Sequence, residues 1–272
     1  MRADLHVHST ASDGTLTPTQ LVERALARGL TVLALADHDS LEGVAEAQRA
    51  ARGTSLRVIP AVELSAAVGE RSIHILGYFV DPQDAALLSL LAELRASRLR
   101  RAEEIVGALR AGGFGLTLEQ VLQLSDGGAV GRSHVARALV RAGHASSVSD
   151  AFERLVGRGQ PFYRPKGSST PLVVFRAVIA AGGVPVLAHP GVTRCDDLID
   201  GLIADGLLGI EAYHVDHSPT QQERYAALAS ERGLLVTGGT DYHSPDAPHP
   251  DLGSSEIPAS AIEALIAAGE RR

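Results

Sequence analysis

Six of the eleven histidines, His6, His8, His38, His74, His189 and His243, fall at or near the ends of short apolar runs, in the company of Asp13, Glu63 and Asp241. A neutral imidazole offers one lone pair and a carboxylate offers hard anionic oxygens. Without any thiolate, that mixture suits zinc, manganese or iron. Each residue taken singly has a plainer reading. His74 or His189 could be a satisfied core or surface histidine, and Asp13 could be the turn residue of Ser12-Asp13-Gly14. Together they are harder to dismiss. Buried carboxylates need cations, and the chain has a single lysine, Lys166, far from every one of these runs. Nine ligands are too many for one ion and reasonable for two or three ions sharing a bridging carboxylate.

The elements that must position these residues read as alternating strands and helices, the pattern of parallel β/α units. A first strand over residues 2–7 places His6 and His8 on one face, because alternate strand residues point the same way. A helix is predicted from Pro18 to Arg28, with Thr17 as N-cap and Gly29 as its stop. "LTVLALAD" predicts a strand ending at Asp37, and the next helix is expected from Leu41 to Ala51. Asp39 or Ser40 could cap that helix. Asp37 and Asp39 could equally orient the His38 imidazole. Further strands are predicted at "LRVIPAVELS", "IHILGYF", "GVPVLAHP", "LLGIEAYH" and "GLLVTGGTDYH". In a parallel barrel the C-terminal strand ends meet at one mouth, where chemistry sits.

The middle of the chain breaks this rhythm. Residues 82–166 show helical patterns and glycine turns without a convincing strand, and read as a helical insertion between two barrel segments, 1–81 and 167–272. "SVSDAFERLV" predicts one of its helices, with Ser149 and Asp150 as caps. "RASRLRRAEE" reads as a solvated helix face.

Composition bounds the partners. At 272 residues, 45% hydrophobic and 21% charged, the chain can bury a substantial core. A formal charge of −7 opposes a broad surface for long nucleic acid, while leaving room for a small anion on a few local cations. No apolar run can span a bilayer, no signal peptide is expected, and the lone Cys195 fits a reducing cytoplasm. Oligomeric state stays open.

The segments "DLHVHSTASDGTLTP", "ALADHDSLEG", "PAVELS", "HILGYF", "LAHPG", "IEAYH" and "GTDYHS" together resemble the polymerase-and-histidinol-phosphatase (PHP) family, in its stand-alone phosphoesterase branch. The resemblance implies a distorted (β/α)7 barrel with a trinuclear metal centre. By motif position, His6, His8, Glu63 and Asp241 would hold one ion. Glu63, His74 and His189 would hold a second, with Glu63 bridging, and Asp13, His38 and His243 a third. Manganese is the expected metal, with iron or zinc as alternatives. A hydroxide between two ions would attack phosphorus, with His214 or His217 as leaving-group acid or substrate contact. Arg132, His134, Arg164 and Lys166 match positions where the branch supplies phosphate contacts.

The implied reaction is removal of the 3′-phosphate from nucleoside 3′,5′-bisphosphates. The alternatives are 5′-3′ exonucleolysis of short 5′-phosphorylated RNA and a histidinol-phosphate-type phosphatase. A metal-dependent amidohydrolase is a different class, and many of those bridge their metals through a carboxylated strand-end lysine, which this chain lacks. A non-catalytic module of a polymerase is disfavoured by the full ligand set.

Overall fold

The computed structural model describes residues 1–165, 167, 169–246 and 250–272. Seven strands form one sheet in chain order: β1 (Ala3–Val7), β2 (Val32–Leu35), β3 (Arg57–Val68), β4 (Arg71–Tyr78), β5 (Val184–Leu187), β6 (Gly209–His214) and β7 (Leu235–Gly239). The sheet curls until its ends meet. Val7 bridges Tyr242, just beyond β7, and the His8 N–H donates to the Tyr242 carbonyl at 2.9 Å. The expected α/β barrel-like fold is present.

One strand departs from an all-parallel barrel, because β4 runs antiparallel to both β3 and β5. The cause is local. Val68 pairs with Arg71 across a two-residue turn, with Gly69 at φ +58, a conformation glycine adopts without steric cost. The reversal brings His74, early in β4, opposite Ser65, and Leu76 opposite Glu63. A residue near the start of β4 thereby reaches the end of the sheet where its neighbours finish.

Strand residues are buried on both faces, as a sheet covered by helices requires. Val62, Leu64, Ile73 and Ile75 share one cluster with Leu87, Leu90, Phe175 and Val178 of the covering helices. Ala61, Leu76, Leu5, Tyr78 and Val186 belong to a second, which Ile262 and Leu265 of the C-terminal helix join. Each fully buried leucine contributes about 1.5–3 kcal/mol.

The helices are α1 (Pro18–Ala27), α2 (Val44–Ala50), α3 (Ala85–Ala111), α4 (Leu118–Ser125), α5 (Arg132–Arg141), α6 (Val148–Ala151, continuing in a wider turn over Phe152–Val156), α7 (Pro171–Ala180), α8 (Pro190–Thr193), α9 (Ile199–Asp205), α10 (Pro219–Arg232) and α11 (Ala259–Glu270). Helix α1 starts where expected: Thr17 Oγ1 accepts from the Gln20 N–H, and Gln20 Oε1 accepts from the Thr17 N–H. Helix α2 starts later than expected, with Gly43 as N-cap. Asp39 cannot cap it, because its φ is +50 and its carboxylate is held by Ser65 and Arg98. Ser147, not Ser149 or Asp150, caps α6, its Oγ accepting from the Asp150 N–H at 3.1 Å.

Helix α3 is continuous and serves two clusters. Leu87, Leu90, Leu91 and Leu94 pack against the sheet, whereas Ile105, Val106 and Leu109 pack with Val121, Val135, Leu139 and Leu155. No strand lies between α3 and α6 among the described residues.

Candidate metal centre

The first strand delivers His6 and His8 to one buried point, and β7 must come very close to let them stay there. A Cβ on Gly239 would lie 2.5 Å from the His6 Cβ, so only glycine fits. Asp4 fixes the approach. Its carboxylate accepts from the Thr240 N–H and Oγ1, from the Gly253 N–H and from the His6 N–H. Asp241, next to Thr240, therefore faces His6 and His8.

Glu63, midway along β3 where it bridges His38, is the shared member. Its Oε2 lies 3.4 Å from His8 Nε2, 3.5 Å from His6 Nε2 and 2.6 Å from His38 Nδ1. Its Oε1 lies 2.7 Å from His74 Nδ1 and 3.0 Å from His189 Nε2. Asp241 Oδ1 closes the first group at 2.9 Å from His8 Nε2 and 3.4 Å from His6 Nε2. Asp13 Oδ1 stands 3.2 Å from His243 Nε2, with the His8 and His243 rings stacked at 4.2 Å.

All nine expected residues lie around one centre, and two of the three expected groupings recur within the candidate groups. His6, His8, Glu63 and Asp241 form one group as anticipated. His8 also joins Asp13, His38 and His243, and His38 also stands with Glu63 and His74. His8 and His38 thus stand between neighbouring groups, a matter of side-chain direction that motif order does not carry.

The donor set fits divalent cations on its own physical terms. His6 Nε2, His8 Nε2, Glu63 Oε2, Asp241 Oδ1, Asp13 Oδ1 and His38 Nδ1 are buried and make no hydrogen bond. Each such atom costs about 1–3 kcal/mol unless something satisfies it. Second hydrogen bonds aim the lone pairs: His6 Nδ1–H donates to Glu211 Oε1 at 3.0 Å, and His243 Nδ1–H to the Asp241 carbonyl at 2.6 Å. Their Nε2 atoms are left facing the carboxylates, the arrangement of an imidazole prepared for a metal.

The electrostatics agree. Burial alone would raise the Glu63 carboxyl, yet His74, His38 and His6 hold it well below its ordinary range. Asp13 and Asp241 are likewise held well below theirs against burial, by His243 and His6 respectively. Burial would lower His243, but Asp13 and Asp241 push it up to about 10. His38 goes the other way, to about 3, because burial outweighs Glu63.

A family model described as the PHP domain matches residues 4–157. The chain is 35% identical over 261 residues to the 3′,5′-nucleoside bisphosphate phosphatase of Chromobacterium violaceum, covering 93% of this chain and 91% of that one. It belongs to the PHP family. It is also 37% identical to a 5′-3′ exoribonuclease of Haemophilus influenzae, over 89% of this chain and 90% of that protein. A solved structure from Bifidobacterium adolescentis, proposed to be a metal-dependent phosphoesterase, superposes with a TM-score of 0.91 at 37% identity, covering 98% and 96% of the two chains.

Around the PHP centre lie residues that sequence reasoning passed over. Glu211 is fully buried and accepts from His6 Nδ1–H and from the His189 N–H at 2.8 Å. A carboxylate within the predicted strand "LLGIEAYH" is the available signal. Asp37 does not turn to His38; it holds the loop after β1 through Ser9 and Ser12. Arg98 and Arg101 leave the solvated face expected for "RASRLRRAEE". Arg98 is 7% exposed and donates to Asp39 and Ser65. Arg101 and Arg132 both stack on Tyr163 at 5.5 Å, and with Arg98 they line a small cavity.

The remaining expected contacts separate. His214 is buried, its Nδ1 accepts from the Asp216 N–H, and its Nε2 lies 4.0 Å from Asp241 Oδ2. His217 has both ring nitrogens taken by backbone, Nδ1 by the Ala212 carbonyl and Nε2 by the Gly191 N–H. His134 is buried, with Nδ1 accepting from the Gly131 N–H. Arg164 donates to its neighbour's carbonyl at Tyr163. Lys166 lies outside the described residues.

Proposed function

We propose that this chain hydrolyses the 3′-phosphate of nucleoside 3′,5′-bisphosphates, with two to three divalent ions, manganese foremost, held by His6, His8, Asp13, His38, Glu63, His74, His189, Asp241 and His243. Bound divalent ions lower the pKa of water and clamp phosphoryl oxygens. The residues themselves do the positioning. Glu211 keeps a proton on His6 Nδ1, and Asp13, Glu63 and Asp241 supply the negative charge that retains the cations.

The observation that carries the choice of substrate is the arginine group beside the centre. The position a Cβ would take on Gly131 is 3.5 Å from Arg98 Nη1 and 3.7 Å from Asp13 Oδ2, so the guanidiniums adjoin the centre. Burial, reinforced by Arg132, lowers Arg101 to about 10, and among the described residues neither Arg101 nor Arg132 meets a carboxylate. Cations crowded together in this way call for a second anion, and guanidinium forks match phosphate oxygens. A substrate with one phosphate on the centre and another on Arg98, Arg101 and Arg132 satisfies both. The 5′ end of a short RNA offers the same pair, in keeping with the Haemophilus relative.

His214 is our donor to the leaving group or phosphoryl oxygens. The Asp216 N–H on Nδ1 places the ring proton on Nε2, which faces Asp241. His217, with no nitrogen to spare, is assigned to shaping the loop. Residues 82–166 form the cap over the barrel made by 1–81 and 167–272, with the first half of α3 as its stalk. Among the described residues no helix is long and apolar enough to cross a membrane, and with the lone, buried Cys195 we place the enzyme in the cytoplasm.

The test is phosphate release, with manganese, from adenosine 3′,5′-bisphosphate, adenosine 3′-monophosphate and histidinol phosphate. The bisphosphate should have the highest kcat/KM, and Arg101→Ala should lower it for the bisphosphate alone. Equal kcat/KM for the two adenosine substrates would refute the second-phosphate assignment.

A further inference from the structure

Beyond the centre and its arginine group, a cleft of about 430 Å³ opens between α5, α4 and the loop after β1. Arg137 and Arg141 line one side, one helical turn apart on α5, and Leu124, Val140 and Val148 form an apolar wall. Thr15 lines it too, and its N–H donates to the carbonyl of His243. The cleft therefore backs onto the strip of chain that carries Asp13 and onto His243.

Three observations mark this cleft as built for an anion. Arg141 has no ion pair among the described residues, and the Nε and Nη2 of Arg137 are buried without a hydrogen bond. Like charges at i and i+4 on a helix oppose one another, and burial together with Arg141 lowers Arg137, against the pull of Asp13. The pair stands out in a chain of net charge −7. Second, Val148 is 39% exposed, leaving an apolar surface beside the two guanidiniums. Third, α5 also holds the centre, because Ser133 Oγ donates to Asp13 Oδ2 at 2.7 Å, one turn before Arg137.

We infer that this cleft binds a nucleotide of a short oligoribonucleotide beyond the one being hydrolysed, its phosphodiester on Arg137 and Arg141 and its base against Leu124, Val140 and Val148. The inference rests on the phosphoesterase reading and adds to it a position for a further nucleotide of the substrate, on α5 and α4. Two guanidiniums with an apolar wall suit a phosphate joined to a flat, weakly polar base. Such a site engages only chains long enough to reach it.

The experiment is equilibrium binding to the full chain stripped of metal by chelation, which makes it independent of turnover. Probes are a fluorescent 5′-phosphorylated oligoadenylate, adenosine 3′,5′-bisphosphate and inorganic phosphate. In Arg137→Gln/Arg141→Gln the oligoadenylate Kd should rise at least about tenfold, the effect of losing one charge-assisted hydrogen bond. The bisphosphate Kd should not change. In Arg141→Gln alone, whose side chain is exposed, the log–log salt slope for oligoadenylate should fall by about 0.7. Unchanged oligoadenylate binding, or equal weakening for the bisphosphate, would overturn the inference. Competition by inorganic phosphate as effective as that by oligoadenylate would reduce the cleft to a simple anion site and refute it as well. Failure of the phosphoesterase reading would appear separately, as no phosphate release from any ester by metal-loaded wild type.

Discussion

Glu63 Oε2 lies 2.6 Å from Nδ1 of His38, while its other oxygen lies 2.7 Å from Nδ1 of His74. One carboxylate thus faces two sides of the centre, and its loss should be felt by more than one ion. Glu63→Gln keeps the shape and removes the charge. The variant should bind at least one fewer manganese per chain by elemental analysis. Turnover should fall roughly a thousandfold, the equivalent of several kcal/mol of transition-state stabilisation. Full metal content with near-normal turnover would remove Glu63 from the centre.

Glu211 touches the centre only through His6 and the His189 backbone. Glu211→Gln can still accept from His6 but withdraws the negative charge behind it. Metal affinity or kcat should drop about 10- to 100-fold, the usual effect of removing a partner behind a ligand. Titration with manganese followed by a rate assay separates the two. A variant indistinguishable from wild type in both would assign Glu211 to packing alone.

Arg98 joins α3 to Asp39 and Ser65, on the chain segments that carry His38 and Glu63. Arg98→Ala leaves Asp39 as a buried charge without its cation. The expected loss is about 3–5 kcal/mol of stability in urea unfolding. A loss below roughly 1 kcal/mol, the size of an exposed pair, would contradict the burial of this contact.

His134 is buried, and burial lowers it to about 4. The unfolded chain takes up this proton near the ordinary histidine value while the folded one does not. Its contribution is therefore fully present above about pH 6.5 and is lost as pH falls towards about 4. His134→Asn keeps an acceptor for the Gly131 N–H and removes the titration. The difference between wild type and variant should change by about 1 kcal/mol per pH unit in that window, roughly 3 in total. Parallel stability–pH curves would show that His134 is solvated.

Much of this is legible in the sequence, and for physical reasons. Alternation put His6 and His8 on one side at the end of β1, capping signals placed the start of α1 at Thr17, and Glu63 stands beside His6, His8, His38, His74 and His189. What could not be read depends on direction in space. Nothing local to "SIHILGYF" announces that β4 is antiparallel, a consequence of the short turn at Gly69. The sharing of His8 and His38 between groups depends on ring orientation. Arg98 and Arg101 sit in an arginine-rich helix whose composition looks solvent-facing, and only partners distant in sequence turn them inward, Asp39 and Ser65 for Arg98 and Tyr163 for Arg101. Asp39 looked like a helix cap because the charge on Arg98, 59 residues away in sequence, is invisible locally.

The most direct measurement is the rate of phosphate release from adenosine 3′,5′-bisphosphate, with bound metal counted in the same preparation. Wild type loaded with manganese should carry two to three ions per chain and release phosphate. Stripping by chelation should abolish release, and added manganese should restore it. Wild type that carries its ions yet releases no phosphate from this or any other phosphate ester would contradict the account.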